Sequence, residues 1–428
     1  MSHHPLLTRW MARPWFFTLW CVLAAFGAYA CMYGFRKPFT AAGFGGAETK
    51  AWLVTAQVIG YMLSKFMGIK VIAEMPPTGR ARVFLGLIAI AHLVLLLFAL
   101  LPAPLDAVCL FLNGLALGMV FGLVLGFVEG RCMTEVFVAG LCASFILADG
   151  VSKSAGALLL QSGITERWMP FTAGLLFLAP LWVFVWMLQK IPPPTQDDEA
   201  ARSRRTPMSA AERFTLLRRH GLGLLGIVLA YLLITILRSL RADFAPEIWS
   251  GLGHASQPAI FTQSELWVTL IVVIANGALV LVKDNRRAFF TGLLLSIAGL
   301  SLGLLALWAH RQGILSPFAF MVLLGVSLYV PYVAVHTTIF ERFISLTRER
   351  GNLGFLMYLA DAIGYLGYVS VMLGRGLFPG REHFLGFFVI TSSALLLSAL
   401  MLLLISVAIC FKRLPRASKE PASAATAP

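Results

Sequence analysis

Charged residues are scarce in this sequence. Asp, Glu, Lys and Arg make up only 13% of the 428 residues, whereas 59% of the residues are hydrophobic. Soluble domains contain about 25% charged residues, so this composition excludes a water-soluble protein. Membrane-spanning helices need apolar stretches of about 20 residues, and such stretches are abundant here. The composition therefore predicts an all-α membrane protein.

Motifs for catalysis and metal binding are also lacking. The sequence has no HExxH, GxSxG, Walker or GxGxxG pattern in a plausible context. The six cysteines are scattered through apolar stretches, without CxxC or Cys/His pairing, which predicts small buried side chains rather than disulfides or metal ligands. We therefore expect neither an enzyme nor a bound cofactor.

Twelve apolar runs are bounded by charged residues, Pro or Gly. They fall at 15–36, 51–73, 82–102, 105–129, 137–160, 168–190, 221–243, 264–283, 287–309, 316–340, 352–374 and 384–411. One long polar segment interrupts them. The sequence thus predicts an N-terminal six-helix bundle (1–190), a cytoplasmic linker (191–220), a C-terminal six-helix bundle (221–413) and a disordered tail (414–428).

Basic residues are concentrated on one side of the predicted membrane. With the N-terminus inside, 23 of the 34 Lys and Arg residues fall on the cytoplasmic side and 5 on the outer side. Cytoplasmic loops collect Lys and Arg, so both termini are expected in the cytoplasm of a bacterial inner membrane. This distribution explains most of the net charge of +14 without a nucleic-acid partner. A cleaved signal peptide is disfavoured because its removal would leave an odd number of spans.

The two halves of the sequence repeat each other. Two pairs of residues are related by an offset of 212 and two by an offset of 202: Glu129 with Glu341, Asp149 with Asp361, Tyr29 with Tyr231, and Arg36 with Arg238. Such duplication is typical of transporters built from two bundles around a midplane site.

Each half carries an arginine on the tyrosine-bearing face of its first span. Tyr29 and Tyr33 precede Arg36 by seven and three residues, and Tyr231 precedes Arg238 by seven. Two guanidinium groups that face one cavity predict an anionic ligand, because Arg matches phosphate or carboxylate oxygens two at a time.

A structural alternative exists for these arginines. Either one could extend to the lipid headgroups, or pair with Asp243 or Glu247. The symmetry of the pair and its aromatic neighbours favour the ligand site. For the adjoining Arg241 we expect contact with Asp243 or with lipid headgroups.

Other charged residues within the predicted spans are candidates for binding or coupling, because charge in a bilayer is costly. Lys37 would add to the positive field of the site. Lys153 follows Asp149 by four residues, so it is either the partner of that carboxylate or a third basic group in the cavity. Asp361 is either a proton carrier or the partner of a basic residue across the bundle, such as Lys153.

A polar face and two charged helix ends complete the set of candidates. Tyr332 and His336 share a face after Pro331, and the histidine is either a packing residue or a substrate or proton site. Two acid–base pairs at cytoplasmic ends of spans are predicted gates: Glu129 with Arg131, and Glu341 with Arg342. Five glycines at four-residue spacing predict a packing stripe on the fourth helix: Gly114, Gly118, Gly122, Gly126 and Gly130.

Several segments resemble the major facilitator superfamily and, within it, the organophosphate:phosphate antiporters such as the glycerol-3-phosphate transporter. They are YGFRKPF (33–39), GYMLSKFMG (60–68), RVFLG (82–86), RSLRADFAP (238–246), YVP (329–331) and GYLG (364–367). The resemblance covers nearly the whole chain and indicates a separate bacterial branch. It implies 12 transmembrane helices in two pseudo-symmetric bundles, phosphate-binding arginines at positions 36 and 238, and exchange at a midplane site.

The sequence thus predicts a monomeric secondary transporter of a small organic anion: a phosphate ester, phosphonate or carboxylate. Coupling would be anion exchange or proton symport through Asp361 or His336. The segment 68–82 departs from the superfamily's loop signature, so a receptor that binds such an anion without transporting it is an alternative. A lipid or headgroup translocase is a weaker one.

Overall fold

Twelve long helices make up most of the part of the chain that the structure describes. The structure is a computed structural model, and it describes residues 9–129, 131, 133–196, 198, 210–254, 257–347, 353–374 and 384–413. The first half contains α1 (Pro14–Tyr33), α2 (Ala47–Glu74), α3 (Arg80–Leu100), α4 (Leu105–Leu117 and Val120–Val128), α5 (Thr134–Gln161) and α6 (Met169–Gln189). Short 3-10 helices (Pro38–Ala41 and Pro77–Gly79) follow α1 and α2.

The second half repeats this arrangement. It contains α7 (Ala210–Asp243), α8 (Ala259–Val280), α9 (Asn285–Arg311), α10 (Pro317–Ala334, the π-helical turn Val335–Ile339 and Phe340–Thr347), α11 (Leu353–Gly374) and α12 (Phe384–Arg413). A short helix, Ala245–Gly251, follows α7. Apart from their ends, the predicted apolar runs coincide with these helices.

Eleven of the helical segments are long and apolar enough to cross a membrane, among the residues that are described. The 28-residue helix α2 is not among the eleven. Its polar side chains, which include Gln57 and Lys65, lower its hydropathy. Both of these side chains are buried and contribute to the site described below.

The predicted linker is partly helical. Helix α7 begins at Ala210, eleven residues before the predicted start of the seventh span, and Arg218 and Arg219 are exposed on this extension. The apolar part that meets the length and hydropathy of a span is Gly221–Asp243. Residues 197 and 199–209 of the predicted linker and the predicted tail at 414–428 lie outside the described residues.

The two halves meet along two helix pairs that the sequence repeat relates to each other. Helix α5 packs against α8, and α2 packs against α11. Since α5 corresponds to α11 and α2 to α8 in the repeat, each interface is the counterpart of the other. Large apolar side chains such as Trp182, Ile274 and Ile390 are exposed on the outside of the bundle, whereas charged side chains are buried between the halves. This inside-out distribution is that of a protein surrounded by lipid.

Glycines allow α2 and α4 to pack backbone against backbone. A Cβ atom added to Gly114 would lie 1.9 Å from the Gln57 carbonyl oxygen, and one added to Gly60 would lie 2.0 Å from the Phe111 carbonyl oxygen. Further along the predicted glycine stripe, Gly122 lies against the Tyr358 hydroxyl of α11. Four of the five glycines of the stripe are described, and Gly130 lies outside the described residues. The close approach positions α2, and with it the polar side chains that α2 contributes to the site.

We expect Gly114→Ala to destabilise the protein, because the new methyl group would overlap main-chain atoms of α2. The loss of stability should be at least the 1–3 kcal/mol that is typical of overpacking, compared with about 1 kcal/mol for an ordinary substitution. The measurement is the thermal unfolding midpoint of the detergent-solubilised protein. Gly86→Ala on α3 is the matched control, since its added Cβ has no described atom within 4 Å. Equal midpoints for the two variants would contradict the proposed packing role.

Candidate substrate site

The first arginine of the predicted pair is buried at the end of α1. Helix α1 ends at Tyr33, and the following turn places Arg36 in the interior with only 3% of its surface exposed. Its guanidinium carbon lies 3.7 Å from the centre of the Tyr61 ring. This geometry is a cation–π contact, which stabilises the charge without neutralising it. Arg36 therefore keeps its full charge in the interior.

Two amide side chains hold the main chain that carries Arg36. The Gln57 amide of α2 donates to the Arg36 carbonyl at 3.1 Å and to the Asn113 side-chain oxygen at 2.9 Å. Asn113 of α4, which is fully buried, donates in turn to the carbonyls of Phe35 (3.1 Å) and Ala91 (3.2 Å). The network ties the turn after α1 to α2, α3 and α4. Sequence analysis missed both residues, although an Asn and a Gln inside apolar runs are a usable signal.

The second arginine occupies the equivalent region of the other half. Arg238 on α7 is buried, and its guanidinium carbon lies 4.4 Å from the centre of the Tyr332 ring. One of its terminal nitrogens donates to the Tyr365 hydroxyl at 3.4 Å. Like Arg36, it has aromatic neighbours.

Both arginines line one cavity. Tyr61, whose ring face contacts the Arg36 guanidinium, packs edge-on against Tyr365 of the other half, with ring centres 5.1 Å apart. Tyr33 and Phe145 form part of the wall of this small cavity. The side chains that the sequence repeat placed on related helices thus converge at the interface of the halves.

The two acids that were considered as partners of Arg238 form ion pairs with lysines instead. Asp243 forms an ion pair with Lys37 of the other half and accepts a hydrogen bond from Tyr368 at 2.9 Å. Glu247 pairs with Lys50 of the other half at 2.6 Å. The alternative in which Arg238 pairs with Asp243 or Glu247 is therefore wrong, because lysines from the first half occupy both carboxylates.

The predicted basic neighbours of the site are themselves paired. Lys37 contacts Asp243 and also lies 3.6 Å from an oxygen of Asp149. Lys153 forms the i,i+4 ion pair with Asp149. Since carboxylates compensate both ammonium groups, neither lysine adds an uncompensated charge to the cavity.

Arg241 has a partner that the sequence analysis did not identify. Its guanidinium pairs with Glu265 of α8 at 2.7 Å and donates to the Met321 carbonyl at 3.0 Å. The expected contact with Asp243 or with lipid headgroups is wrong. Arg241 is almost completely buried within its own half, and Asp243 is turned toward Lys37.

Asp361 is paired with Lys65 rather than with Lys153. The Lys65 ammonium of α2 lies 2.9 Å from one oxygen of the Asp361 carboxylate on α11, so this ion pair joins the two halves. The expected partner Lys153 belongs to Asp149. Sequence analysis gave Lys65 no role. A lysine in the middle of an apolar run is nevertheless a candidate for a binding or coupling role, because a charge within a bilayer is costly.

The second oxygen of Asp361 faces a group of polar aromatic side chains. It accepts a hydrogen bond from the Tyr231 hydroxyl and lies 3.4 Å from the Tyr332 hydroxyl and 3.5 Å from Nε2 of His336. The rings of Tyr231 and Tyr332 stack at 5.0 Å. All of these groups are buried.

A second cavity adjoins the first. Its polar lining includes Lys65, Arg238, His336 and Asp361. The predicted residue Tyr29 lies on its wall, with its hydroxyl 3.4 Å from that of Tyr61. The two cavities share four lining residues: Tyr33, Phe145, Arg238 and Tyr365. Arg238 therefore faces both chambers.

The arginines of the predicted gate pairs make hydrogen bonds within their own halves. Arg131 donates to the Pro192 carbonyl, and Arg342 donates to the Asn285 side-chain oxygen at 2.7 Å. The gating role of Glu129, Glu341 and these arginines stays a prediction.

We expect the Lys65–Asp361 pair to show strong energetic coupling. Removing one partner with Lys65→Met or Asp361→Asn leaves a buried charge and should cost about 3–5 kcal/mol of stability, whereas the double variant should cost clearly less than the sum of the two. Denaturation of the four proteins in the cycle measures this. The parallel cycle of Lys153→Met with Asp361→Asn is the control and should be nearly additive. The opposite ranking of the two cycles would refute the observed pairing.

The comparisons with known proteins agree with this architecture. Residues 37–413 match a protein family described as a family of unknown function, DUF5690. No curated protein matches the sequence significantly. Among solved structures, a D-xylose–proton symporter is similar with 14% identity and a TM-score of 0.59, covering 90% of this chain and 96% of its own.

Two further solved structures are similar over nearly their whole length. A point mutant of the nucleoside transporter NupG has 14% identity and a TM-score of 0.60, covering 92% of this chain and 99% of its own. The major facilitator superfamily proton:xylose symporter XylE bound to 6-bromo-6-deoxy-D-glucose has 12% identity and a TM-score of 0.61, covering 93% and 96%. The chain is therefore a multi-pass membrane protein with the fold of the major facilitator superfamily, and it belongs to the DUF5690 family.

Proposed function

We propose that this protein is a secondary transporter, which binds a small anion with two negative charges between Arg36 and Arg238 and carries it across the membrane by alternating access. The similarity to solved symporters and to a nucleoside transporter supports a transport function. The anionic substrate is our inference from the charges of the site.

The balance of buried charge is the observation that carries this proposal. At or beside the interface of the halves, five basic side chains each pair with a different acid: Lys37 with Asp243, Lys50 with Glu247, Lys65 with Asp361, Lys153 with Asp149 and Arg241 with Glu265. In the part of the chain that the structure describes, seven basic and five acidic side chains lie in this region, and the two basic side chains outside these pairs are Arg36 and Arg238. Among the described residues, Nε of each has no hydrogen-bond partner. An anion with two charges would neutralise the pair.

The chemistry of the two side chains narrows the class of anion. A guanidinium group presents a planar set of donors that matches two oxygens of one phosphoryl or carboxylate group. The hydroxyls of Tyr33 and Tyr365 line the same cavity and would donate to further oxygens. Phosphate esters, phosphonates and dicarboxylates fit this set of donors, whereas a neutral sugar would leave both charges uncompensated.

The ion pairs that join the halves suggest how binding would drive the conformational change. Lys37 follows Arg36 directly, and Asp243 follows Arg238 by five residues on the same chain segment. An anion at the arginines would attract Lys37 and repel Asp243, and so would weaken this link between the halves. Opening and closing of such links is the physical basis of alternating access in a two-bundle transporter.

The membrane arrangement follows from the same proposal. The protein would function as a monomer in a bacterial inner membrane, with both termini in the cytoplasm. Bundles 1–190 and 221–413 would rock about the site, joined by the segment 191–220. Coupling would be anion exchange or proton symport.

Ligand-dependent thermal stabilisation tests the site. Inorganic phosphate, glycerol phosphate, a phosphonate and succinate are compared with the neutral probes xylose and uridine. A ligand at 100 times its Kd stabilises a protein by about 2.7 kcal/mol, so binding of at least one dianion should raise the unfolding temperature measurably. Stabilisation by the neutral probes alone would contradict the anion site.

Reconstitution into liposomes tests transport. We expect exchange of radiolabelled phosphate in the wild type and at least a hundredfold slower exchange in Arg36→Gln and in Arg238→Gln, since each variant removes one of two charges that hold the anion. Arg311→Gln is the matched control, because Arg311 is exposed on α9 and contacts Ser393. Unchanged exchange in both site variants would refute the site.

The same experiments separate the alternatives. Anion binding without exchange would instead indicate a receptor that has lost transport. Movement of a labelled anionic lipid between leaflets, without exchange of soluble anions, would indicate a lipid translocase.

A further inference from the structure

His336 lies where helix α10 departs from regular geometry. Pro331 interrupts the α-helical hydrogen bonding, and the turn Val335–Ile339 is π-helical. Single π-helical turns are common at functional sites because they reorient side chains within a helix. Here the turn places the imidazole in the buried wall of the second cavity.

The contacts of His336 fix which ring nitrogen accepts a proton. Nδ1 lies 3.0 Å from the Tyr332 carbonyl oxygen, which can only accept, so Nδ1 carries the hydrogen of the neutral ring. Nε2 then has a free lone pair. It lies 3.4 Å from the Tyr231 hydroxyl, whose single hydrogen goes to Asp361. In the neutral ring, Nε2 is therefore the nitrogen that can accept a proton, and it lies beside a carboxylate.

Charged and titratable groups surround this nitrogen on every side of the second cavity. Asp361 lies 3.5 Å away, and its other oxygen is occupied by Lys65. Among the described residues these groups are Tyr29 and Tyr33 from α1, Lys65 and Tyr61 from α2, Cys142 from α5, Tyr231 and Arg238 from α7, Tyr329 and Tyr332 from α10, and Tyr358, Asp361 and Tyr365 from α11. From α9, the uncharged Gly292 packs against the π-helical turn.

One aromatic ring connects the imidazole to the anion site. The Tyr332 ring lies 4.8 Å from the His336 ring and 4.4 Å from the guanidinium carbon of Arg238. A proton on Nε2 would thus add a positive charge one ring away from an arginine that already lacks an acidic partner. In the empty site this repulsion opposes protonation, and an anion bound at Arg238 removes it.

We propose that His336 binds a proton at Nε2 together with the anion at Arg238, so that anion transport is coupled to proton uptake. This inference rests on the proposed function and assigns its coupling site. The proton comes from solution and adds to Nε2, which then donates to Asp361, while Lys65 keeps its contact with the other carboxylate oxygen. On release of the anion, the proton returns to solution on the other side of the membrane.

The direction of the effect follows from linkage. An anion that favours the protonated imidazole must itself bind more tightly when the imidazole is protonated, and couplings of this kind are typically about 5–150-fold. Affinity for the anion should therefore increase as the pH falls. Asp361 is the second partner in this response, because its carboxylate stabilises the imidazolium.

Proteoliposomes containing the full-length protein separate coupling from exchange. Exchange of radiolabelled phosphate is measured at equal pH, and net uptake of the same phosphate is measured under a gradient of about one pH unit, acid outside, with and without a protonophore. The wild type should exchange and should also accumulate phosphate at least fivefold above its level with protonophore. His336→Gln should retain exchange and lose the gradient-driven accumulation.

Two matched variants control this comparison. His336→Asn also removes the titratable nitrogen and keeps a donor for the Tyr332 carbonyl. It should therefore retain exchange and lose accumulation, and it provides this test if His336→Gln folds poorly. His92→Gln changes a partly buried histidine on α3 that stacks on Phe171, away from both cavities, and should accumulate phosphate like the wild type. The protonation state of phosphate is the same in every assay, so a difference in accumulation between two variants results from the substituted side chain.

The outcomes are distinct. Exchange without accumulation in the wild type, or unchanged accumulation in both His336 variants, would overturn the coupling role. Absence of phosphate exchange in the wild type would overturn the proposed function, and the inference with it.

Discussion

The high cost of burying charge in a low-dielectric interior is the constraint on which this structure depends. Ten side chains at or beside the interface of the halves meet that cost in five close ion pairs, and three of these pairs join the halves. Helix α2 contributes Lys50 and Lys65 to these pairs, and the turn after α1 contributes Lys37. What distinguishes Arg36 and Arg238 is that neither forms an ion pair with any acid in the described part of the chain, and aromatic rings contact both guanidinium groups.

The fold was accessible from the sequence because lipid imposes simple rules on it. Apolar runs of sufficient length predicted the helices, and the offsets of 202 and 212 residues predicted two related halves. The arrangement of a major facilitator superfamily protein is supported by the solved structures that resemble the chain. Helix ends were less predictable, as α7 illustrates: the segment 210–220 carries three arginines and a glutamate, so its composition marked it as part of the linker.

The candidate site was only partly accessible from the sequence. Repeat symmetry identified Arg36, Arg238 and their tyrosines, since equivalent positions in two bundles approach each other across the axis. The partners of the remaining charges were mostly misassigned. Lys65 was missed, and Arg241 was matched with the nearby Asp243 instead of Glu265. Proximity along the sequence suggests partners on one helix, whereas most of these pairs depend on how helices from different parts of the chain pack, which no local pattern encodes.

The Lys37–Asp243 pair has a consequence for how this family can diverge. Loss of Lys37 would release Asp243 beside Arg36, where the freed carboxylate would act as a tethered competitor of any incoming anion. Asp149 differs, because it has a second lysine, Lys37, within 3.6 Å. Descendants of this chain should therefore inherit or lose Lys37 and Asp243 together, whereas Lys153 can change more freely.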